Sequence, residues 1–371
     1  MTPLKIAKRM AMIDASGIRK VFDLAARMEN PVDFSIGQPD FDVPLEVKEA
    51  AIEALRSGFN KYTVTQGIPE LRQALLARIS RDYHWEPEGI LVTCGVSGGL
   101  VLALLVLVDS GDEVLMADPY FVMYKHLVHL AGGVPRFVST YPDFRLTRER
   151  IESRLSPKSK VLILNSPSNP TGVLLTEKEL EGIAALVEER NLFVITDEIY
   201  RSFCYDGPYP SFLSHRKENV LLLDGFSKSH ALAGWRLGFA AGPEELISEM
   251  TKLQQYTFVC APSMVQYAGI KALQVPMEKY VEAYRKRRDM IYEGLKDILE
   301  VQKPGGAFYV FPKVPDRYKS GDMEFCQKAL EKNVLVIPGS VFSERSTHFR
   351  ISYATSFENI ERGIKVLRTL T

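Results

Sequence analysis

Lys228 stands in Asp224-Gly-Phe-Ser-Lys-Ser-His-Ala-Leu-Ala-Gly-Trp-Arg236, just past the apolar run Val220–Leu223. That run reads as a buried strand. A lysine at a strand end, among small and hydroxyl residues, suits imine chemistry, because its amine becomes a nucleophile once deprotonated. Arg236 follows the turn signal Ala233–Gly234. Three more strand ends carry polar groups. After Ile90–Thr93 comes Gly95-Val-Ser-Gly-Gly99, leading into a helix. Glycines and a hydroxyl at a helix N-terminus favour an anion, since free N–H groups and the dipole both attract it. After Val161–Leu164 comes Asn165-Ser-Pro-Ser-Asn-Pro-Thr-Gly172, whose prolines hold Asn169 at a fixed place. After Leu192–Thr196 comes Asp197-Glu-Ile-Tyr200. An acid there is costly to bury without a cationic partner.

Together these groups describe a ligand with three features. It has a phosphate, for the Gly95–Gly99 helix end, Ser227 and Arg236. It has a protonated ring nitrogen, for Asp197. It has an aldehyde able to form an imine, for Lys228. Pyridoxal 5'-phosphate has all three.

The elements that must position these residues are legible as alternating strands and helices from Ile90 to Ala241. Strands are expected at Ile90–Thr93, Glu113–Ala117, Val134–Ser139, Val161–Leu164, Leu192–Thr196, Val220–Leu223 and Leu237–Ala241. Helices are expected between them, including Tyr120–Leu130 and one opened by a Thr176–Glu179 capping box. This pattern implies an α/β fold with a mainly parallel sheet sandwiched by helices, binding ligands at the carboxyl ends of its strands. Helices are also expected around Ile18–Met28, from Pro44 to Gly58, and over Pro69–Arg81. Beyond Pro276 a long charged helix, Met277–Leu299, precedes short strands and helices that read as a small α+β domain. The expected division is 44–275 for the large domain, with 1–43 and 276–371 forming the small one.

Composition narrows the function. Lys+Arg and Asp+Glu both number 46 in 371 residues, so no basic excess points to nucleic acid or to an anionic membrane. The longest apolar run, Leu100–Val108, is too short to span a bilayer. Cys94, Cys204, Cys260 and Cys326 are scattered, form no C-x-x-C pair, and are read as buried small apolar residues. No secretory leader is visible, so a reducing, cytoplasmic location is expected.

The motifs Asn169-Pro-Thr-Gly172, Asp197-Glu-Ile-Tyr200, Ser227-Lys228 and Gly234-Trp-Arg236 stand in the order and spacing of a known family. The chain resembles the fold-type-I pyridoxal-phosphate enzymes, specifically the class I/II aminotransferases related to aspartate aminotransferase, over nearly its whole length. The resemblance implies that Lys228 is the Schiff-base lysine and that Asp197 pairs with the ring nitrogen. It implies that Asn169 and Tyr200 hydrogen-bond the cofactor's phenolic oxygen, and that Ser227, Arg236, Gly95, Val96 and Ser97 hold its phosphate. It makes Phe121 the stacking aromatic and Tyr62 a tyrosine that reaches a neighbouring subunit's phosphate, hence a homodimer with shared sites. Gly37 matches the glycine of a mobile N-terminal segment near the substrate, and Arg350 the grip on the substrate α-carboxylate. One position departs: relatives usually have a serine where this chain has Gly225, which implies a slightly poorer phosphate cup.

The implied reaction moves an amino group from an L-amino acid, dicarboxylic or aromatic, to a 2-oxo acid such as 2-oxoglutarate. The alternative is a carbon–sulfur β-lyase or a synthase on the same scaffold. A cofactor-sensing regulator would need a DNA-binding module that residues 1–43 do not supply, and a nicotinamide dehydrogenase would need a G-x-G-x-x-G after a strand. Of the remaining candidates, His126 and His129 are read as surface or satisfied histidines and no metal is expected. His230 is read as packing, Trp235 as a core anchor and Arg285–Arg288 as a solvated helix face. Tyr124, one turn beyond Phe121, is read as able to face the cofactor.

Overall fold

The computed structural model describes residues 4–15, 17 and 28–371. The helix expected around Ile18–Met28 falls almost wholly outside that set. A seven-stranded sheet organises the large part of the chain. Its strands are β2 (Gly89–Cys94), β3 (Glu113–Asp118), β4 (Val134–Ser139), β5 (Ser159–Asn165), β6 (Phe193–Asp197), β7 (Val220–Gly225) and β8 (Leu237–Gly242), in the spatial order β2-β8-β7-β6-β5-β3-β4. Neighbours from β7 to β4 pair in parallel, and β8 runs antiparallel to both β7 and β2.

Parallel strands covered on both faces must be apolar on both, and these are, apart from the half-buried edge strand β4. Every residue of β7 and of β8 is buried. Successive residues feed opposite cores, as a pleat requires. Val161 and Ile163 join one core, while Leu162 and Leu164 join the other. Removing one such leucine from water contributes about 1.5–3 kcal/mol.

Helix α1 is Leu45–Arg56, α2 is Pro69–Tyr83, α3 is Gly95–Leu107 and α4 is Val122–Leu130. Helix α5 is Arg148–Glu152 and α6 is Glu177–Arg190; α6 opens with the expected capping box, Thr176 accepting from the Glu179 N–H. Helix α4 starts at Val122, not Tyr120, because Phe121 is extended at φ −70°, ψ 125°. That leaves the Phe121 side chain free to enter the cleft below. Helices α7 (Glu244–Thr257), α8 (Ser263–Ala272) and α9 (Glu278–Leu295) follow.

The C-terminal part builds a three-stranded antiparallel sheet from β9 (Tyr309–Val310), β11 (Ile337–Pro338) and β12 (Phe349–Ser352). Helix α10 (Asp322–Glu331) and the last helix, α11 (Phe357–Arg368), flank it. A separate ladder joins β1 (Val32–Asp33) to β10 (Val334–Leu335), so the N-terminal segment is stitched to the C-terminal part. The apolar stretch from Val334 to Pro338 is thus two strands serving two sheets. Among the described residues no helix is long and apolar enough to cross a membrane.

Two expectations need correction. The run Arg285–Arg288 is only in part a solvated face: the side chains of Arg285 and Lys286 stay exposed, whereas Arg287 and Arg288 turn inward. Arg288 is 1% exposed, pairs with Asp206 at 2.6 Å and donates to the Pro304 carbonyl at 3.0 Å. Arg287 reaches Asp40 at 2.7 Å. The face is polar because α9 lies against polar groups of the rest of the chain. Nor are the four cysteines buried; each is free and half-buried. Trp235 is likewise half-buried, at the margin of one core.

Arg288→Met should keep the packing of the stem but lose the bonds to Asp206 and Pro304. Net hydrogen-bond values of about 1–3 kcal/mol set the expected loss of stability, read as a fall in the denaturation midpoint. An unchanged midpoint would show that the pair adds nothing.

Candidate active site

The carboxyl ends of β5, β6 and β7 lie side by side and bring the chemistry together. The register pairs Asn165 with Asp197 directly across β5 and β6. Three residues past β7 comes Lys228. Its turn is pinned by Phe226, which is fully buried and whose carbonyl accepts from the N–H groups of His230 and Leu232. A cleft of about 230 Å³ opens there, lined by Gly37, Val96, Ser97, Phe121, Asn169, Asp197, Tyr200, Ser227, Lys228, Arg236, Tyr309 and Arg350 among others.

The Lys228 amine donates to the Gly37 carbonyl at 2.5 Å. Burial, with help from the Arg350 and Arg236 charges, lowers its pKa to about 8, against the pull of Asp197. A larger share of the amine is therefore free to act as a nucleophile or base near neutral pH.

Asp197 is 2% exposed. The cationic partner that its burial leads one to expect is not there among the described residues. Its carboxylate accepts instead from the Tyr124 hydroxyl at 2.7 Å and the Ile199 N–H at 3.2 Å. Burial pushes its pKa up to about 6, and those two donors pull against the rise. Such a carboxylate is suited to a positive group brought in by a ligand.

Asn165 acts as a staple. Its amide nitrogen donates to the Asp197 carbonyl at 3.0 Å, and its oxygen accepts from the Asn169 N–H at 3.0 Å. The loop is thereby tied to β6, and Asn169 faces the cleft. Its side-chain oxygen accepts from Arg350 Nη1 at 3.0 Å. Arg350, on β12, also donates to the Ser35 carbonyl at 2.7 Å and lies between the rings of Tyr309 and Phe342. It is 1% exposed, its Nε has no partner, and no carboxylate of the described residues pairs with it. A buried guanidinium left this way matches the planar fork of an incoming carboxylate.

The anion end forms where α3 leaves β2. Gly95 has φ +69°, and a Cβ there would lie 2.6 Å from Arg236 Nη2. A Cβ on Gly238 would lie 2.7 Å from the Val96 nitrogen. Glycine is needed on both sides of this close approach. Cys94, ahead of α3, makes no side-chain cap, and Val96 and Ser97 of the first turn line the cleft together with Ser227 and Arg236, which suits an anion. Gly225 does not line the cleft. A Cβ there would meet the Gly238 Cα and the Leu237 oxygen, each at 2.9 Å. β8 thus leaves no room for a side chain at that position, and the missing hydroxyl has a packing reason whatever its effect on the anion cup.

Tyr62 is 85% exposed and away from this cleft. His230 packs at 7% exposure, and burial lowers its pKa to about 4. His126 and His129 belong to no group that holds a metal among the described residues.

Residues 29–367 match the family "Aminotransferase class I and II". The chain belongs to the class I and II aminotransferases. It is 38% identical to the "Probable aspartate aminotransferase" of Methanocaldococcus jannaschii, across 98% of this chain and 99% of that protein. It is 37% identical to "Aromatic-amino-acid aminotransferase 2" of Thermococcus litoralis, across 97% of each. A solved aspartate aminotransferase of Thermus thermophilus, determined with maleate, superposes with a TM-score of 0.94 at 34% identity and covers 100% of both chains. The protein is thus an enzyme that transfers amino groups between amino acids and 2-oxo acids.

Sequence reasoning for this aminotransferase missed Asn165 as a staple, Ser35 as a backbone partner of Arg350, and Tyr309. Tyr309 sits in an apolar run that reads as core. Tyr124 does reach into the cleft, through Asp197.

Two outcomes are expected of this geometry. Imine formation between the cofactor-free protein and an aldehyde should accelerate as pH rises through about 8, since the lowered pKa of Lys228 frees the amine there. A midpoint near that of an ordinary lysine, followed by absorbance, would contradict the buried setting. Gly225→Ser should lower thermal stability without tightening phosphate-ligand binding; tighter binding by calorimetry would restore the weakened-cup view.

Proposed function

We propose that the cleft binds pyridoxal 5'-phosphate and serves transfer from an L-amino acid, dicarboxylic or aromatic, to a 2-oxo acid such as 2-oxoglutarate. The observation that carries the reading is one cleft holding a buried lysine with a lowered pKa and, among the described residues, a buried carboxylate without a cation and a buried guanidinium without a carboxylate. The fit is specific. Asp197 supplies the charge for a protonated ring nitrogen. The uncapped start of α3, with Gly95, Val96, Ser97, Ser227 and Arg236, suits a phosphate. Asn169 and Tyr200 would hold the cofactor's phenolic oxygen, and Phe121 would supply a face for stacking.

When bound, the cofactor supplies an aldehyde for the amino group and a protonated ring that draws electrons from the substrate Cα–H bond. The chain's own residues do the rest. Arg350, with Asn169 beside it, holds the α-carboxylate and so fixes Cα. Lys228 Nζ would take the proton from the substrate Cα and hand it to the carbon that carries the cofactor's aldehyde, a shuttle that a pKa of about 8 suits in both directions. Gly37 and its segment close over that amine.

Substrate breadth rests on relatives named for aspartate and for aromatic amino acids. The lyase or synthase alternative is not favoured, since these relatives are named as aminotransferases. We also propose a homodimer. Support comes from an exposed apolar belt around Tyr62, with Phe59, Val64, Tyr256, Phe258 and Val259. In that reading Tyr62 completes the phosphate site of the second copy. The division into 44–275 and 1–43 with 276–371 remains our proposal for the domains. The free thiols suit a reducing compartment, and we propose the cytoplasm.

Adding amino acids one by one to the cofactor-loaded protein should bleach the imine absorbance and release the matching keto acid. If none does so, transamination through this cofactor is the wrong reading. Lys228→Ala should abolish turnover while cofactor still binds; wild-type turnover in that variant would remove Lys228 from its role.

A further inference from the structure

Tyr309 opens β9 and is fully buried. Its hydroxyl lies 2.8 Å from that of Tyr200. Its ring lies under Arg350, with the guanidinium carbon 4.6 Å from the ring centroid. A Cβ on Gly37 would come 2.6 Å from the same hydroxyl oxygen. One side chain therefore touches the phenol, the carboxylate grip and the segment over Lys228.

A phenylalanine would fill the same space and offer Arg350 the same face. The hydroxyl needs its own reason, since a buried phenol requires a partner. Among the described residues Tyr200 is its one hydrogen-bond partner. In such a pair one hydroxyl donates and the other accepts. If Tyr200 accepts from Tyr309, it keeps its own proton for a ligand oxygen. Chained hydrogen bonds also polarise one another, which makes Tyr200 a stronger donor.

We propose that Tyr309 is a positioning residue for the transfer reaction: its hydroxyl donates to Tyr200 and aims that phenol's proton at the cofactor's phenolic oxygen, while its ring sets the plane of Arg350. The assignment rests on the reading that pyridoxal 5'-phosphate occupies this cleft.

The test uses full-length protein loaded with pyridoxal 5'-phosphate, as wild type, Tyr309→Phe, Tyr200→Phe and the double variant. The first readout is the pH titration of the bound cofactor's absorbance, without substrate. A donor to an oxyanion favours the deprotonated form, so weakening it should move the midpoint upward. Tyr309→Phe and Tyr200→Phe should both move it upward, Tyr200→Phe the further. The second readout is kinetic. Tyr309→Phe should lower kcat roughly three- to tenfold, the size of one hydrogen bond, with little change in KM because the ring under Arg350 remains. In the Tyr200→Phe background, adding Tyr309→Phe should change neither readout, as expected of two groups acting as one.

An unmoved midpoint in Tyr309→Phe overturns the proposal. So does an effect that persists in full without the Tyr200 hydroxyl, because the role would then be structural. A Tyr200→Phe variant with a wild-type midpoint overturns it as well, whatever the folding of the other variants. A wild type that takes up no cofactor sinks the reading beneath it, whereas a loaded, active wild type with unaltered variants sinks only the Tyr309 assignment.

Discussion

Charge taken out of water without its counter-charge is the constraint on which this structure turns. Lys228, Arg350 and Asp197 face one cleft, and none meets an opposite charge at contact distance among the described residues. Each is held by neutral groups: the Gly37 carbonyl, the Ser35 carbonyl with the Asn169 amide, and the Tyr124 hydroxyl with the Ile199 N–H. Burial of this kind is unfavourable for stability. Its effect is to move the lysine and the carboxyl toward neutral pH, where each can exchange a proton or accept a charged partner. The sheet makes the arrangement possible. Apolar strands carry the cost of order, and their carboxyl ends are the one edge where polar groups can converge.

Much of this was readable from the residues. Lys228, Asp197 and Asn169 were visible because each follows an apolar run whose end is easy to place. The strand–helix alternation gave the parallel sheet for the same reason. What failed to show depends on pairing distant in sequence. Tyr309 lies among apolar residues and reads as core until β9 pairs with β12, which carries Arg350. Arg287 and Arg288 read as solvated because sequence does not say that Asp40 and Asp206 lie opposite them. The reason for Gly225 has the same origin: family comparison shows which side chain is missing, whereas the backbone of β8 decides that none fits. Phe121 and Arg350 were legible only through the resemblance, since neither has a local pattern that marks it.

The two glycine contacts at Gly95 and Gly238 tie the anion end to the sheet. Helix α3 approaches β8 so closely that a methyl group on either side would collide with backbone or with Arg236. The position of the helix start is thus set by the strand next to it. Arg236, immediately before β8 and at φ +58°, is presented from the same junction. Phosphate-binding groups and strand pairing share one set of backbone atoms.

The contacts of Ser35 and Gly37 have a last consequence. Lys228 and Arg350 are already solvated by the chain's own main-chain oxygens. A carboxylate arriving at Arg350, or a carbonyl compound arriving at Lys228, exchanges partners with that segment instead of filling bare charge. Net affinity is then a difference between two sets of hydrogen bonds. The peptide from Phe34 to Asp42 serves as an internal competitor, whose strength sets how readily the site lets its occupants go.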